Sequence, residues 1–127
     1  MKKIKNMTEK QKIIFTFRKY TRLGLANSRL CPFDVYDIIR GVSKTKSDAL
    51  DLLAVYDTLR ILKISGKNDI IKAVYAVYFG PMGRAPKKNE ISSRVLRYSY
   101  ETHCDERTVY RQLEYARRLY KMIRTNS

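Results

Sequence analysis

The chain has 127 residues, of which 44% are hydrophobic, so it is long enough and apolar enough to fold as one compact domain. It contains 27 Lys and Arg against 12 Asp and Glu, giving a formal net charge of +15, and such an excess favours a polyanionic partner. The apolar runs are much shorter than the roughly 20 residues that a bilayer requires, and the basic start lacks a signal-peptide pattern. We therefore expect a cytoplasmic protein with no role in a membrane.

Residue types that carry catalysis or bind metals are too few to build a site. His103 is the single histidine, and the two cysteines, Cys31 and Cys104, lie far apart in the sequence. A His-based dyad and a four-ligand zinc site would both need more groups than these. No glycine-rich phosphate motif occurs. The sequence predicts no enzyme, no cofactor and no metal, and reduced thiols are favoured over a disulfide.

Glycine and proline are few and fall where helices would end, which predicts an all-α fold of five to six helices. The first helix is expected from Thr8 to about Arg22, with Arg18 among the charged residues that surround an apolar face. That face contains Ile13, Ile14, Phe17 and Tyr20. A short second helix follows Pro32 and ends at Gly41. Its expected apolar residues are Phe33, Tyr36, Ile38 and Ile39.

Two broadly apolar helices should form the core. Ser47 is the expected N-cap of one that extends to about Lys63, and Asn68 can cap another that extends to Phe79. Residues 80–89 contain two prolines and two glycines and cannot continue a helix. We interpret them as an extended basic loop that is either a solvated linker or a phosphate contact, and contact is favoured.

The C-terminal part has the pattern of a helix-turn-helix without a wing. Asn89 is expected to cap a helix from Glu90 to about Tyr100, and Asp105 to cap a second helix after a turn of about four residues. In the first of these helices the candidates for packing are Ile91, Val95, Leu96 and Tyr98. In the second, a narrow apolar stripe is formed by Val109, Leu113, Ala116 and Ile123, with Leu119 or Tyr120. Together with the helix before residue 80, they make a trihelical unit.

The arginines of the second helix lie largely outside this apolar stripe. A capped helix end rich in arginine can enter the major groove, so this pattern favours DNA binding. The residues expected to read bases are Glu106, Arg107, Thr108, Tyr110 and Arg111. The residues expected to contact phosphates are Arg84, Lys87, Lys88, Arg94, Arg97, Arg117 and Arg118. The alternative is a helical hairpin with solvated arginines. For His103, in the turn, simple exposure is favoured over a phosphate contact.

A resemblance supports the same interpretation. The strings AVYAVYF at 73–79, NEISSRV at 89–95 and DERTVYRQL at 105–113 are similar to region 4 of sigma factors. They resemble still more the small late-gene transcription regulators of phages of Gram-positive bacteria, of the RinA and ArpU type. In such proteins the segment matching residues 105–113 opens the recognition helix. The resemblance implies promoter binding and a phage or mobile-element source.

Together these patterns predict a double-stranded DNA-binding transcription regulator. Residues 67–127 would form the DNA-binding portion, and residues 1–66 a helical portion that supports it, dimerises or recruits a partner. A homodimer is expected because one helix-turn-helix contacts few base pairs. The alternative function is an adaptor that binds RNA polymerase or another nucleic-acid enzyme. Several tyrosines exposed on a basic face would instead favour single-stranded nucleic acid.

Overall fold

A computed structural model of the chain describes residues 7–27, 29–79, 87 and 89–127. Within these residues the chain forms six α-helices and no strand, which confirms the predicted all-α class. In chain order they are α1 (Glu9–Arg22), α2 (Pro32–Val42), α3 (Lys46–Ile64), α4 (Asn68–Val77), α5 (Glu90–Thr102) and α6 (Glu106–Thr125). None of these helices is both long enough and apolar enough to cross a membrane.

Side-chain caps fix where α1 and α3 begin. Thr8 accepts a hydrogen bond from the Gln11 amide at 3.1 Å while the Gln11 side chain accepts one from the Thr8 amide at 2.9 Å, a reciprocal capping box. The expected cap of α3, Ser47, is wrong. Thr45 is the N-cap, and its hydroxyl accepts from the Asp48 amide at 3.1 Å. The helix already begins at Lys46, so Ser47 lies inside its first turn, where its hydroxyl accepts from the Arg124 guanidinium at 3.0 Å.

Three helices end in the same way, with one residue in the left-handed region. At the end of α1 this residue is Gly24 (φ 79°), and at the end of α3 it is Gly66 (φ 75°). The amide after each glycine donates to the carbonyl five residues back, as in a Schellman motif. At the end of α5 the equivalent residue is His103 (φ 55°), and the next amide, of Cys104, donates to the Ser99 carbonyl at 3.0 Å. A side chain therefore occupies a position that elsewhere in this chain is glycine.

The hydrophobic core is one cluster to which all six helices contribute. Phe17 of α1 lies at its centre, with its ring centroid 5.9 Å from that of Tyr78 and 5.6 Å from that of Tyr120. Helix α6 packs against α3, α4 and α5, whereas α1 and α2 pack against α3. Buried residues from both sides of position 66 belong to the same cluster, and the division there stays a prediction.

The stripe predicted for α6 lies inward. Val109, Leu113 and Ala116 are buried, and of the two alternatives at its end Tyr120 is buried while Leu119 is half-buried. Ile123, also predicted, is half-buried. Spacings of three and four residues carry the stripe along one side of the helix, so the opposite side faces solvent.

Several residues expected in the core lie at the surface instead. In α2 the buried pair is Val35 and Ile39, so Phe33 points outward and is 78% exposed. In α5 the inward residue is Val95, and Leu96 is 57% exposed. One residue turns a helix by about 100°, so Leu96 faces away from the side on which Val95 is buried, and Phe33 lies opposite the side that carries Val35 and Ile39. The burial of Arg18 is the opposite error, since this arginine is 0% exposed.

Candidate nucleic-acid interface

A three-residue turn joins α5 to α6 and sets the direction of α6. His103 begins the turn in the left-handed region, and the Ser99 hydroxyl donates to the Cys104 carbonyl, which binds the turn back to the last turn of α5. Asp105 takes the N-cap position of α6, as predicted, with extended backbone. Its side chain makes no capping hydrogen bond, so its carboxylate lies at the positive end of the helix without capping it.

The outward side of α6 carries arginine in its first turns. Arg107 and Arg111 are exposed and one helical turn apart, on the side opposite the buried stripe. Among the described residues neither arginine has a carboxylate within ion-pairing distance, whereas Arg118, further along the same helix, pairs with Glu114 at 2.8 Å. The first two turns of α6 therefore present two uncompensated guanidinium groups to solvent.

The other three residues predicted to read bases flank these arginines. Glu106 is exposed, Tyr110 is 37% exposed and Thr108 is half-buried. The structure thus places all five predicted residues at one end of α6, and Thr108 has the least access to a ligand.

Polar contacts from other helices hold α6 along its length. Near its middle, Gln112 donates to the Asp69 carboxylate of α4 at 3.1 Å, and the Lys67 ammonium lies 5.3 Å from the centre of the Tyr115 ring. Near its C-terminal end, Lys121 pairs with Glu9 of α1 at 3.1 Å and Arg124 pairs with Asp51 of α3 at 2.6 Å. These contacts lie on other sides of α6 or in its C-terminal half, so the outward side of its first two turns remains accessible.

A buried ion pair fixes α5 against α1. The Arg18 guanidinium donates to both carboxylate oxygens of Glu90, the first residue of α5, at 3.3 and 2.7 Å. The Arg18 Nε also donates to the Tyr78 carbonyl, just after α4, at 3.0 Å. Glu90 further accepts from the Lys87 amide at 3.0 Å and from the Arg94 Nε at 3.2 Å. One arginine of α1 thus joins the end of α4 to the start of α5.

Sequence reasoning missed this pair, although α1 carries a partial signal. Arg18 follows Phe17 and lies four residues after Ile14, on the same side of the helix as that buried isoleucine. Its partner cannot be identified from the pattern, because Glu90 lies 72 residues away in the chain.

The residues predicted to contact phosphates divide into three groups. Lys87, Arg97 and Arg118 are exposed. Arg94 and Arg117 are half-buried and bonded within the protein: Arg94 to Glu90 and to the Ala76 carbonyl, and Arg117 to the Tyr78 hydroxyl at 2.8 Å. Arg84 and Lys88 lie outside the described residues. Among the described residues, only the first group therefore presents a charge that a phosphate could reach freely.

Two buried tyrosines, Tyr78 just after α4 and Tyr120 of α6, lie beside Phe17 of α1. Burial raises the pKa of Tyr78, an effect that the neighbouring Arg117 guanidinium opposes by charge and by its hydrogen bond. Burial likewise raises the pKa of Tyr120 to about 12. Both rings pack against the ring of Phe17, and ionisation of either is disfavoured by its burial.

Comparison with protein-family models, curated proteins and solved structures finds no match to this chain. Among the described residues there is also no group of three or more His, Cys, Asp or Glu side chains that could hold a metal ion. The two cysteines, Cys31 and Cys104, are free thiols.

Proposed function

We propose that the protein binds double-stranded DNA as a transcription regulator, with α4, α5 and α6 acting as a helix-turn-helix. In this proposal α6 is the recognition helix, and its first turns enter the major groove. Arg107 and Arg111 would pair with guanine, Glu106 would accept from cytosine, and Thr108 would meet a thymine methyl group. Promoter binding, a phage or mobile-element source and a homodimer belong to the same proposal.

The observation that carries the proposal is the pairing state of the arginines. Arg40, Arg60, Arg118 and Arg124 each lie close to a carboxylate. Arg107 and Arg111 have none among the described residues, as is also true of Arg22, Arg29 and Arg97, but they share one face of one helix. Two exposed, unpaired guanidinium groups on one helix face repel each other and favour an anionic partner. They also lie at the helix end whose dipole favours negative charge.

Arg97, Lys87 and Arg118 are the best-placed residues for phosphate contacts in this proposal. Arg118 would exchange its surface ion pair with Glu114 for a phosphate, at little cost because exposed pairs contribute about 0–1 kcal/mol. Arg94 and Arg117 instead support the site from within, since both are half-buried and bonded to other groups of the protein.

The test is fluorescence anisotropy on a random duplex and on a duplex selected by the protein, over a range of salt concentrations. We expect a preference of about a thousandfold or more for the selected duplex. Arg107→Ala and Arg111→Ala should each reduce that preference by about 1–3 kcal/mol, or roughly 5- to 150-fold. Arg40→Ala removes the same charge from an exposed arginine of α2 and should leave the preference intact. Equal binding of both duplexes by the wild type contradicts the proposal.

A second candidate function is an adaptor that binds RNA polymerase. It is favoured by the outward side of α5, where Leu96 is 57% and Tyr100 is 83% exposed, one helical turn apart. Exposed apolar side chains of this size are typical of protein contacts. Binding of purified bacterial RNA polymerase that Leu96→Ser abolishes and Arg111→Ala leaves unchanged would favour the adaptor over the regulator.

A further inference from the structure

A cleft separates the N-terminal ends of α1 and α5. From α1 and its cap it is lined by Thr8, Lys10, Gln11 and Ile14, and from the other side by Lys87, Asn89, Ile91 and Ser92. Its volume is about 280 Å³. A water molecule occupies about 30 Å³ in the liquid, so the cleft has room for a phosphate group.

The described lining of this cleft consists of two lysines, four other polar residues and two isoleucines, without a carboxylate. Two other polar cavities differ in this respect. The one beside Arg94 and Arg97 also contains Glu90 and Glu101, and the one beside Lys121 and Arg124 contains Glu9 and Asp51. The acidic neighbours of the cleft are paired with other cations, Glu9 with Lys121 and Glu90 with Arg18 and Arg94, and the Glu90 carboxylate also accepts from the Lys87 amide at 3.0 Å. Among the described residues that line the cleft, Lys10 and Lys87 are the charged ones, and both are positive.

Lys10 also has a cation beside it. Burial and then the Arg117 guanidinium of α6 lower the pKa of Lys10, and the Glu114 carboxylate opposes them. Glu114 is itself paired with Arg118. Two like charges packed side by side destabilise each other, and an anion bound between them relieves that repulsion. Arg117 and Glu114 thus place Lys10 beside the middle of α6.

We propose that this cleft binds one phosphate of the DNA backbone, held by Lys10 of α1 and Lys87, so that α1 takes part in the DNA interface. The Thr8 hydroxyl and the Asn89 side-chain amide offer further donors along the same wall. This inference rests on the proposed function and extends it, because α1 lies outside the proposed helix-turn-helix. A free phosphate ion offers the same chemistry, and the experiment has to separate the two sources.

The test uses the full chain with Lys10→Gln, Lys87→Gln and the double variant, and with Lys44→Gln as the matched control. Lys44 is exposed and does not line the cleft. For the double variant we expect the salt dependence of log K against log[salt] to become shallower by about 0.9, the value for one lost phosphate contact. At 50 mM salt this corresponds to a roughly tenfold loss of affinity. The loss should be equal for the selected and the random duplex, because phosphates carry no sequence information.

Three results would overturn the inference in different ways. If the double variant keeps the salt dependence of the Lys44→Gln control while the wild type still prefers its selected duplex, the cleft does not contact DNA and the proposed function stands. If the wild type binds no duplex, the proposed function fails as well. The third result concerns the source of the phosphate and uses amide chemical shifts. If millimolar inorganic phosphate moves the amide signals of Lys10 and Ser92 but a bound duplex does not, the cleft is a site for free phosphate.

Discussion

Replacing Arg18 by Met tests whether the buried ion pair holds the fold together. The substitution keeps the length of the apolar stem and removes the guanidinium. It leaves the Glu90 carboxylate, whose side chain is 15% exposed, without its closest cationic partner. It also leaves the Tyr78 carbonyl without the donor that reaches it at 3.0 Å. Removing one partner of a buried pair costs about 3–5 kcal/mol, and because Glu90 keeps its bond with Arg94 at 3.2 Å, we expect a loss at the lower end of this range.

This loss is large beside the total. A domain of this kind has a free energy of unfolding of about 5–15 kcal/mol, so Arg18→Met should remove a large share of it. The midpoint of thermal unfolding should fall by roughly 10–20 °C. Urea unfolding followed by circular dichroism at 222 nm measures the free energy directly. Arg22→Met, an exposed arginine on the same helix, should lose less than about 1 kcal/mol.

A double-mutant cycle separates the pair from its surroundings. The variant with both Arg18→Met and Glu90→Met removes both charges, and buried pairs replaced by apolar residues are often neutral or stabilising. We expect it to be more stable than Arg18→Met alone, with a coupling energy of about 2 kcal/mol. A loss below about 1 kcal/mol for Arg18→Met, or strictly additive single effects, would refute the reasoning.

Three further predictions concern helix ends, packing and pH. His103→Gly should stabilise the protein by about 1 kcal/mol in urea unfolding, since a side chain in the left-handed region costs about 1–2 kcal/mol. Gly66→Ala should destabilise it for the same reason. Equal stability of His103→Gly and wild type would contradict this. Val95→Ala should cost about 2 kcal/mol and Leu96→Ala less than about 0.5 kcal/mol, and a reversed order would place the wrong side of α5 inward. The pKa of Tyr120 is raised from 10.0 to about 12, so its contribution to stability is fully present below pH 10. Between pH 10 and 12 this contribution is lost at about 1.4 kcal/mol per pH unit. Urea midpoints across that range should therefore fall less steeply in Tyr120→Phe.

The helices could be predicted from the sequence because their signals are local. The capping box of Thr8 and Gln11 places both partners within one turn, and Pro32 starts a helix through its own fixed backbone angle. The stripe of α6 lies within one helix and is inward as expected. Such features depend on neighbours in the chain, so the order of residues is enough to find them.

The rest depends on contacts that no local pattern contains. Arg18 was expected among solvated charges, and only its approach to Glu90, 72 residues away, makes its burial favourable. Phe33 was expected inside, but the inward side of α2 is set by where Val35 and Ile39 meet α3. In both cases the sequence shows which residues are apolar or charged, and the tertiary packing decides which of them are covered.

The difference between sequence pattern and tertiary contact also applies to the proposed DNA interface. Net charge does not identify which basic residues contact DNA. A net charge of +15, from 27 basic and 12 acidic residues, is compatible with many surfaces. Within α6, however, the pairing of the cations differs between the two ends: in its C-terminal half, Lys121 and Arg124 are bound to carboxylates of α1 and α3, and these bonds hold the helix in place. In its N-terminal half, Arg107 and Arg111 have no such partners among the described residues. We therefore propose that the cations at the C-terminal end of α6 hold the helix in place, whereas those at its N-terminal end recognise DNA. Arg124→Ala should then lower stability and leave sequence preference unchanged, and Arg111→Ala should do the reverse.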